Sequence, residues 1–169
     1  MMNTKTLAAL LIAFGTSWAA KAQEIKGYGV LVKVIDGDTF IVSANDQRHA
    51  QSLRELGVKK ESYGDASQFK IRLANVDTPE SVHPDKSRNT VEGAEAKTLV
   101  KRFVEHHPVH FRCFDVGKYG RAICNLSVKK PDGWFDVGHS IISAGLSEYV
   151  VRYGKNPYLH REYMGAAAR

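Results

Sequence analysis

The stretch "VIDGDTFIV", residues 34–42, places Asp36 and Asp38 two positions apart inside an otherwise apolar run. A buried carboxylate is costly unless it is paired or holds a metal, so the two acids ask for a reason. Asp-Gly is also a hairpin signal, and "VLVKVIDGDTFIV" reads as strand, tight turn, strand. From these residues alone the turn is the commoner explanation and a bound cation the sharper one. Working outward, Tyr28 to Ile35 and Thr39 to Val42 give two strands. "FKIRLANV" alternates Phe69, Ile71 and Leu73 with Lys70 and Arg72 and gives a third. "VHFRCFDV" and "RAICNLSV" flank the turn-like "GKYG" and supply a fourth and a fifth.

Between strands three and four, "NTVEGAEAKTLVKRFVEHHP" carries Ala94, Leu99, Phe103 and Val104 at roughly helical spacing. Asn89 with Glu92 is expected to cap this helix, Pro108 to stop it, and His106 and His107 to favour its C-terminal end. A second helix is expected from an Asp136 cap to a Gly145 stop, with Val137, Ile141 and Ala144 on one face, and a short third after Pro157. The polar piece from Ser43 to Gln68 is longer than a hairpin loop, which makes it functional, mobile or partly helical. Five short strands with helices inserted late predict an α+β fold, a five-stranded OB-type β-barrel with about three helices.

At 169 residues and 43% hydrophobic, the chain can bury one core. "MMNTKTLAALLIAFGTSWAAKA", residues 1–22, has a basic start, an apolar run too short to span a bilayer, and an A-x-A ending. It reads as a cleaved secretory signal, so residues 23–169 are expected to be a secreted or periplasmic domain without stable membrane association. The formal charge is +6, and losing Lys5 and Lys21 with the signal leaves +4. A basic surface suits a polyanion such as nucleic acid.

A second acidic group follows in "RLANVDTPES", residues 72–81, where Pro79 ends strand three and fixes the directions of Asp77 and Glu80. In "GKYGR", residues 117–121, Lys118, Tyr119 and Arg121 stand at a strand entrance. Two arginines opposite three carboxylates suit a phosphodiester and a hard cation. No Cys and His spacing points to zinc. "VIDGDT", "RLANVDTPE", "HPDK" and "KYGR", followed by "GLSEYVVRYG", resemble the staphylococcal nuclease (thermonuclease) family in order and content over roughly residues 28–165.

That resemblance implies an OB-fold barrel and calcium-dependent hydrolysis of DNA and RNA to 3′-phosphate ends. It also implies roles by position. Asp38, Asp77 and the carbonyl of Thr78 would hold Ca2+, with Asp36 and Gly37 shaping the turn around them. Glu80 would orient or deprotonate water, Arg72 and Arg121 would bind the phosphate, and Lys118 and Tyr119 would contact a neighbouring phosphate. The 43–68 insertion departs from the family, the register around Tyr149 and Tyr153 is ambiguous, and relatives continue a longer basic helix beyond "REYMGAAAR".

The histidines are scattered, Trp134 reads as packing or a loop anchor rather than a base-stacking platform, and Asn125-Leu126-Ser127 sits in a strand, unlike a glycosylated loop. Two rival classes remain. A non-catalytic OB module binding single-stranded nucleic acid has no need of Glu80. A calcium-dependent adhesion domain has no need of Arg72 or Arg121. A monomer is expected. Cys113 and Cys124 lie symmetrically about the "GKYG" reversal, so an exported chain is expected to bridge them; a bulge or one-residue slip would turn them apart.

Overall fold

The strand read from Tyr28 to Ile35 is realised in the computed structural model as β1 (Ile25–Asp36), whose first six residues point alternately inward and outward. The structure describes residues 24–60, 65–83, 85–105 and 107–168, so the expected signal segment and the role given to His106 lie outside them. Two register shifts near the end of β1 bend the strand toward the Asp36–Thr39 turn. β1 pairs antiparallel with β2 (Thr39–Ala44) and, on its other edge, with β4 (Pro108–Val116). β2 pairs with β3 (Gln68–Leu73), and β4 with β5 (Ala122–Lys130).

The barrel closes where β3 runs parallel to β5, Ile71 to Leu73 against Ala122 to Cys124. Closure removes the free edges that an open sheet would expose. A short sixth strand, β6 (Gly133–Asp136), adds to β5 outside the closed five-stranded ring, where the sequence showed only a lead into a helix. Inside, Phe40, Phe69, Ile71, Phe111 and Leu126 are fully buried, and the Phe69 and Phe111 rings meet edge to face at 5.1 Å.

Cys113 and Cys124 are direct cross-strand partners and are joined by a disulfide. The β4–β5 register shifts between Cys113 and Asp115, on the turn side of the bridge: Val116 faces Ala122 and Asp115 faces Ile123, and the one-residue bulge is what then brings Cys113 opposite Cys124. Closing a loop of this length stabilises the fold by about 3 kcal/mol in the chain-entropy model.

Among the described residues, four α-helices decorate the barrel. Within the 43–68 insertion, α1 (Gln47–Glu55) is capped by Asp46 and buries Ala50 and Leu53. α2 (Val91–Val104) departs from the expected pattern. Its N-cap is Thr90, whose Oγ1 accepts from the Gly93 N–H, while the side chain of Asn89 accepts from the backbone N–H of His83. The buried face of α2 is Gly93, Ala96, Val100 and Val104, and Leu99 is 50% exposed. Small residues let this helix approach the barrel closely, so the bulkier stripe lies to the side. Lys101 and Arg102 supply cations to its last turn, and the His107 N–H donates to the Val104 carbonyl. α3 (Val137–Ser143) starts at Asp136 as expected, and Gly145 follows it with φ 70°. α4 (His160–Ala167) packs against α3 through buried Tyr163 and Ala166.

Candidate active site

Strand geometry brings the acidic and basic motifs to one end of the barrel. β1 ends at Asp36, β2 starts at Thr39, and Arg72 pairs with Thr39 on one side and with Ile123, two positions after Arg121, on the other. Arg72 is the hub. It lies 3.2 Å from Asp38 Oδ2, donates to Asp77 Oδ1 at 2.7 Å, and also donates to the Val76 carbonyl. One guanidinium therefore bridges the two carboxylates that the sequence placed 39 positions apart. The Asp38 carboxylate also accepts from the Thr39 hydroxyl at 2.9 Å and from the Thr78 N–H at 3.1 Å. Burial pushes the Asp38 carboxyl up from its ordinary range, and Arg72 opposes that push.

Asp36 has a positional task. Its Oδ1 accepts from the Gly37 N–H at 3.0 Å and from the Ser81 hydroxyl at 2.6 Å, so it ties the turn to the segment after Pro79. Glu80 sits in that segment at the surface. Its carbonyl accepts from the Thr90 N–H, and Gly93 in the first turn of α2 passes so close that a Cβ there would lie 2.2 Å from the same carbonyl. The glycine thus fixes the Glu80 backbone against the helix. Partial desolvation first, and the neighbouring Asp36 second, push the Glu80 carboxyl upward.

Arg121 is half-buried at the entry to β5 and donates to Thr39 Oγ1 at 3.2 Å, while its Nε has no partner among the described residues. Burial, followed by the charge of Arg72, pulls its pKa down. Tyr119 and Lys118 are exposed on the preceding turn, with the Tyr119 ring 5.7 Å from the Arg121 guanidinium. The insertion braces this turn, because the Lys59 N–H donates to the Gly120 carbonyl at 2.9 Å.

A cleft of about 650 Å³ opens between the exit of β3, the 117–121 turn and the segment 150–155. Arg72, Asp77, Lys118, Tyr119 and Arg121 line it, whereas Asp38 and Glu80 do not. Asp38 joins the group through Arg72. The sequence reading missed Arg152, which donates to Asp77 Oδ2 at 3.0 Å and lines the cleft with Lys155. It also missed Ser147, whose hydroxyl accepts from the Asp77 N–H at 2.9 Å. An arginine beside an exposed tyrosine in "VVRYGK" was the available signal. The ambiguity between the two tyrosines resolves here. Tyr149 packs edge to face on Tyr163 at 5.5 Å and bonds His160, whereas Tyr153 is exposed at the cleft with Arg152 over its ring. Asn125 is buried and donates to the Tyr163 hydroxyl, as its place in a strand demanded.

Among the described residues, no three His, Cys, Asp or Glu side chains gather in a metal-binding cluster. The donors near Arg72 are the carboxylates of Asp38 and Asp77 together with backbone carbonyls, all hard oxygens. Such a set fits a hard cation that fills its remaining positions with water and substrate oxygen, and does not fit zinc. The family model described as staphylococcal nuclease homologue matches residues 70–169, more than half of the chain. No curated protein matches the sequence. The match begins at Lys70, so it includes Arg72, Asp77, Glu80 and Arg121, while Asp36 and Asp38 precede it.

Proposed function

Because the chain belongs to the staphylococcal nuclease homologue family, we propose that it is a calcium-dependent, secreted endonuclease that hydrolyses DNA and RNA to products with 3′-phosphate ends. The observation that supports this most directly is Arg72 bridging Asp38 and Asp77 beside Arg121, with Glu80 held close by. A calcium ion held by Asp38, Asp77 and the Thr78 carbonyl would polarise a phosphate oxygen as a Lewis acid.

The chain's own residues do the rest. Glu80 orients a water and accepts its proton as the water oxygen attacks phosphorus. A new O–P bond forms, the P–O5′ bond breaks in line, and the departing 5′-oxygen takes up a proton from solvent. Arg72 and Arg121 donate to the equatorial oxygens, where the negative charge grows, and their partly desolvated position strengthens that interaction. Arg121 Nε has no partner among the described residues and is a donor to spare for a phosphate. The raised Glu80 pKa moves this carboxylate toward the range useful for a general base.

A binding-only barrel would leave Glu80 and its fixed backbone without a task. The deciding experiment incubates the protein with plasmid DNA and single-stranded RNA, with calcium or with a chelator. Cleavage is expected only with calcium, to 3′-phosphate ends; intact substrates in calcium would remove the nuclease reading.

A further inference from the structure

Away from the cleft, three rings from three different strands meet on the outer surface of the barrel. Tyr28 of β1 and His110 of β4 are register partners with ring centroids 5.0 Å apart. Trp134 of β6 lies 5.8 Å from Tyr28 and 6.2 Å from His110. Tyr28 and Trp134 remain 56% and 45% exposed, so the rings pack on one another and still offer surface to solvent. Cations border them. Lys129 is the cross-strand partner of Trp134, with its Nζ 5.8 Å from that ring, and Lys26 and Arg112 form a neighbouring row on β1 and β4. Glu24 engages both Lys26 and Arg112, which among the described residues leaves Lys129 as the cation beside the Trp134 ring. Burial, then Arg112 and Lys26, hold His110 toward its neutral form, in which the ring stacks without a charge to hydrate.

Exposed aromatic groups bordered by basic residues are the platform on which single-stranded nucleic acids stack their bases. We propose that this face is a second nucleic-acid contact, separate from the cleft, where bases of single-stranded DNA or RNA stack on Tyr28 and Trp134 while Lys129 meets the backbone. The proposal rests on the nucleic-acid-binding character of the family. Tyr28 precedes Asp36 by eight residues on β1, which puts the platform about 25 Å from the site end at roughly 3.3 Å per residue. At about 3.4 Å per nucleotide, the rise of a stacked strand, about seven nucleotides reach both places. The platform would hold a long strand while the cleft acts on it.

The sequence contains two tryptophans, so in a Trp18→Phe variant Trp134 is the only one and its emission reads the platform directly. The variant is titrated in chelator with oligothymidylates of roughly five and twenty nucleotides and with heparin, a polyanion without bases. The longer oligonucleotide should quench Trp134. Tyr28→Ala and Trp134→Ala together should weaken its binding, followed by anisotropy of a labelled strand, roughly ten- to a hundredfold, and leave the shorter one within about twofold. Emission unchanged at saturation with the long strand overturns the proposal whether or not the double variant folds. Equal quenching by heparin overturns it in favour of charge alone, and concentration-dependent dimers that hide Trp134 overturn it in favour of a second copy. Because chelator is present throughout, these outcomes are independent of cleavage in calcium, which tests the nuclease reading.

Discussion

Asp38 and Asp136 both carry carboxyl groups that burial pushes upward in pKa, yet the fold surrounds them in opposite ways. Asp136 meets neutral donors. Its Oδ1 accepts from the His139 N–H at 2.8 Å and the Tyr163 hydroxyl at 2.7 Å, and so caps α3 and ties it to α4. Asp38 sits in a crowd of charge, with Arg72 at 3.2 Å, Arg121 nearby, and Asp36 close enough to raise its pKa further. At Asp136 the partners are dipoles at its own location, all on Oδ1, while Oδ2 has none among the described residues. A concentration of opposed full charges costs desolvation and gains most when a charged ligand completes it.

This contrast can be broken most decisively at the charged end. Glu80→Gln and Arg121→Ala should each lower nuclease turnover by about 10²–10³-fold or more, with thermal midpoints near the parent. Turnover within a few fold of the parent, measured on plasmid and RNA, would mean that the charges are structural after all. Asp38→Ala and Asp77→Ala should reduce calcium affinity at least about tenfold by calorimetry, because each removes an anionic oxygen ligand. Unchanged affinity in both would place the cation elsewhere.

The neutral cluster should respond in stability alone. A Cβ at Gly138 would lie 2.2 Å from the Tyr163 hydroxyl. Gly138→Ala is therefore expected to destabilise by about 1–3 kcal/mol in denaturant, against the gain of up to about 1 kcal/mol that alanine brings to a helix. A more stable variant would show that α3 and α4 are not in close contact.

The smallest effect is in pH. The folded Asp136 binds its proton more tightly than the unfolded chain does, so the folded state holds more protons between the two pKa values. Stability from this group is present below the unfolded pKa and is lost as pH rises through the raised one. Asp136→Asn keeps a good cap and should flatten that decline in chemical denaturation curves across the acidic range. An unchanged slope would assign the pH dependence to another group.

The two ends also differ in how far the sequence revealed them. The convergence of the candidates was legible because "VIDGDT", "RLANVDTPE" and "KYGR" put them at or just beyond strand ends, where neighbours in the sheet meet. Arg152 was not, because its contact with Asp77 joins residues 75 positions apart and no periodicity announces it. The buried side of α2 was misjudged because Gly93 and Ala96 carry little hydrophobic signal, and their small size is what lets the helix seat. The polar insertion was readable as partly helical, but α1 could not be placed within it, since it buries only Ala50 and Leu53. The cysteine pair was readable from its symmetry about Lys118 and Tyr119, although the register leaving the turn is offset by one residue and the bulge between Cys113 and Asp115 restores it.

The parallel seam between β3 and β5 has a kinetic consequence. Ile71 and Ala122 are 51 residues apart, so zipping them together is a non-local step whose loop-closure entropy must be met before the contact rewards it. Arg72 lies on this seam and Arg121 borders it, and the two come together only when the ring shuts. On the proposed reading, cutting power requires that closure. A chain whose seam is still open carries every residue of the machinery without the arrangement that would cut.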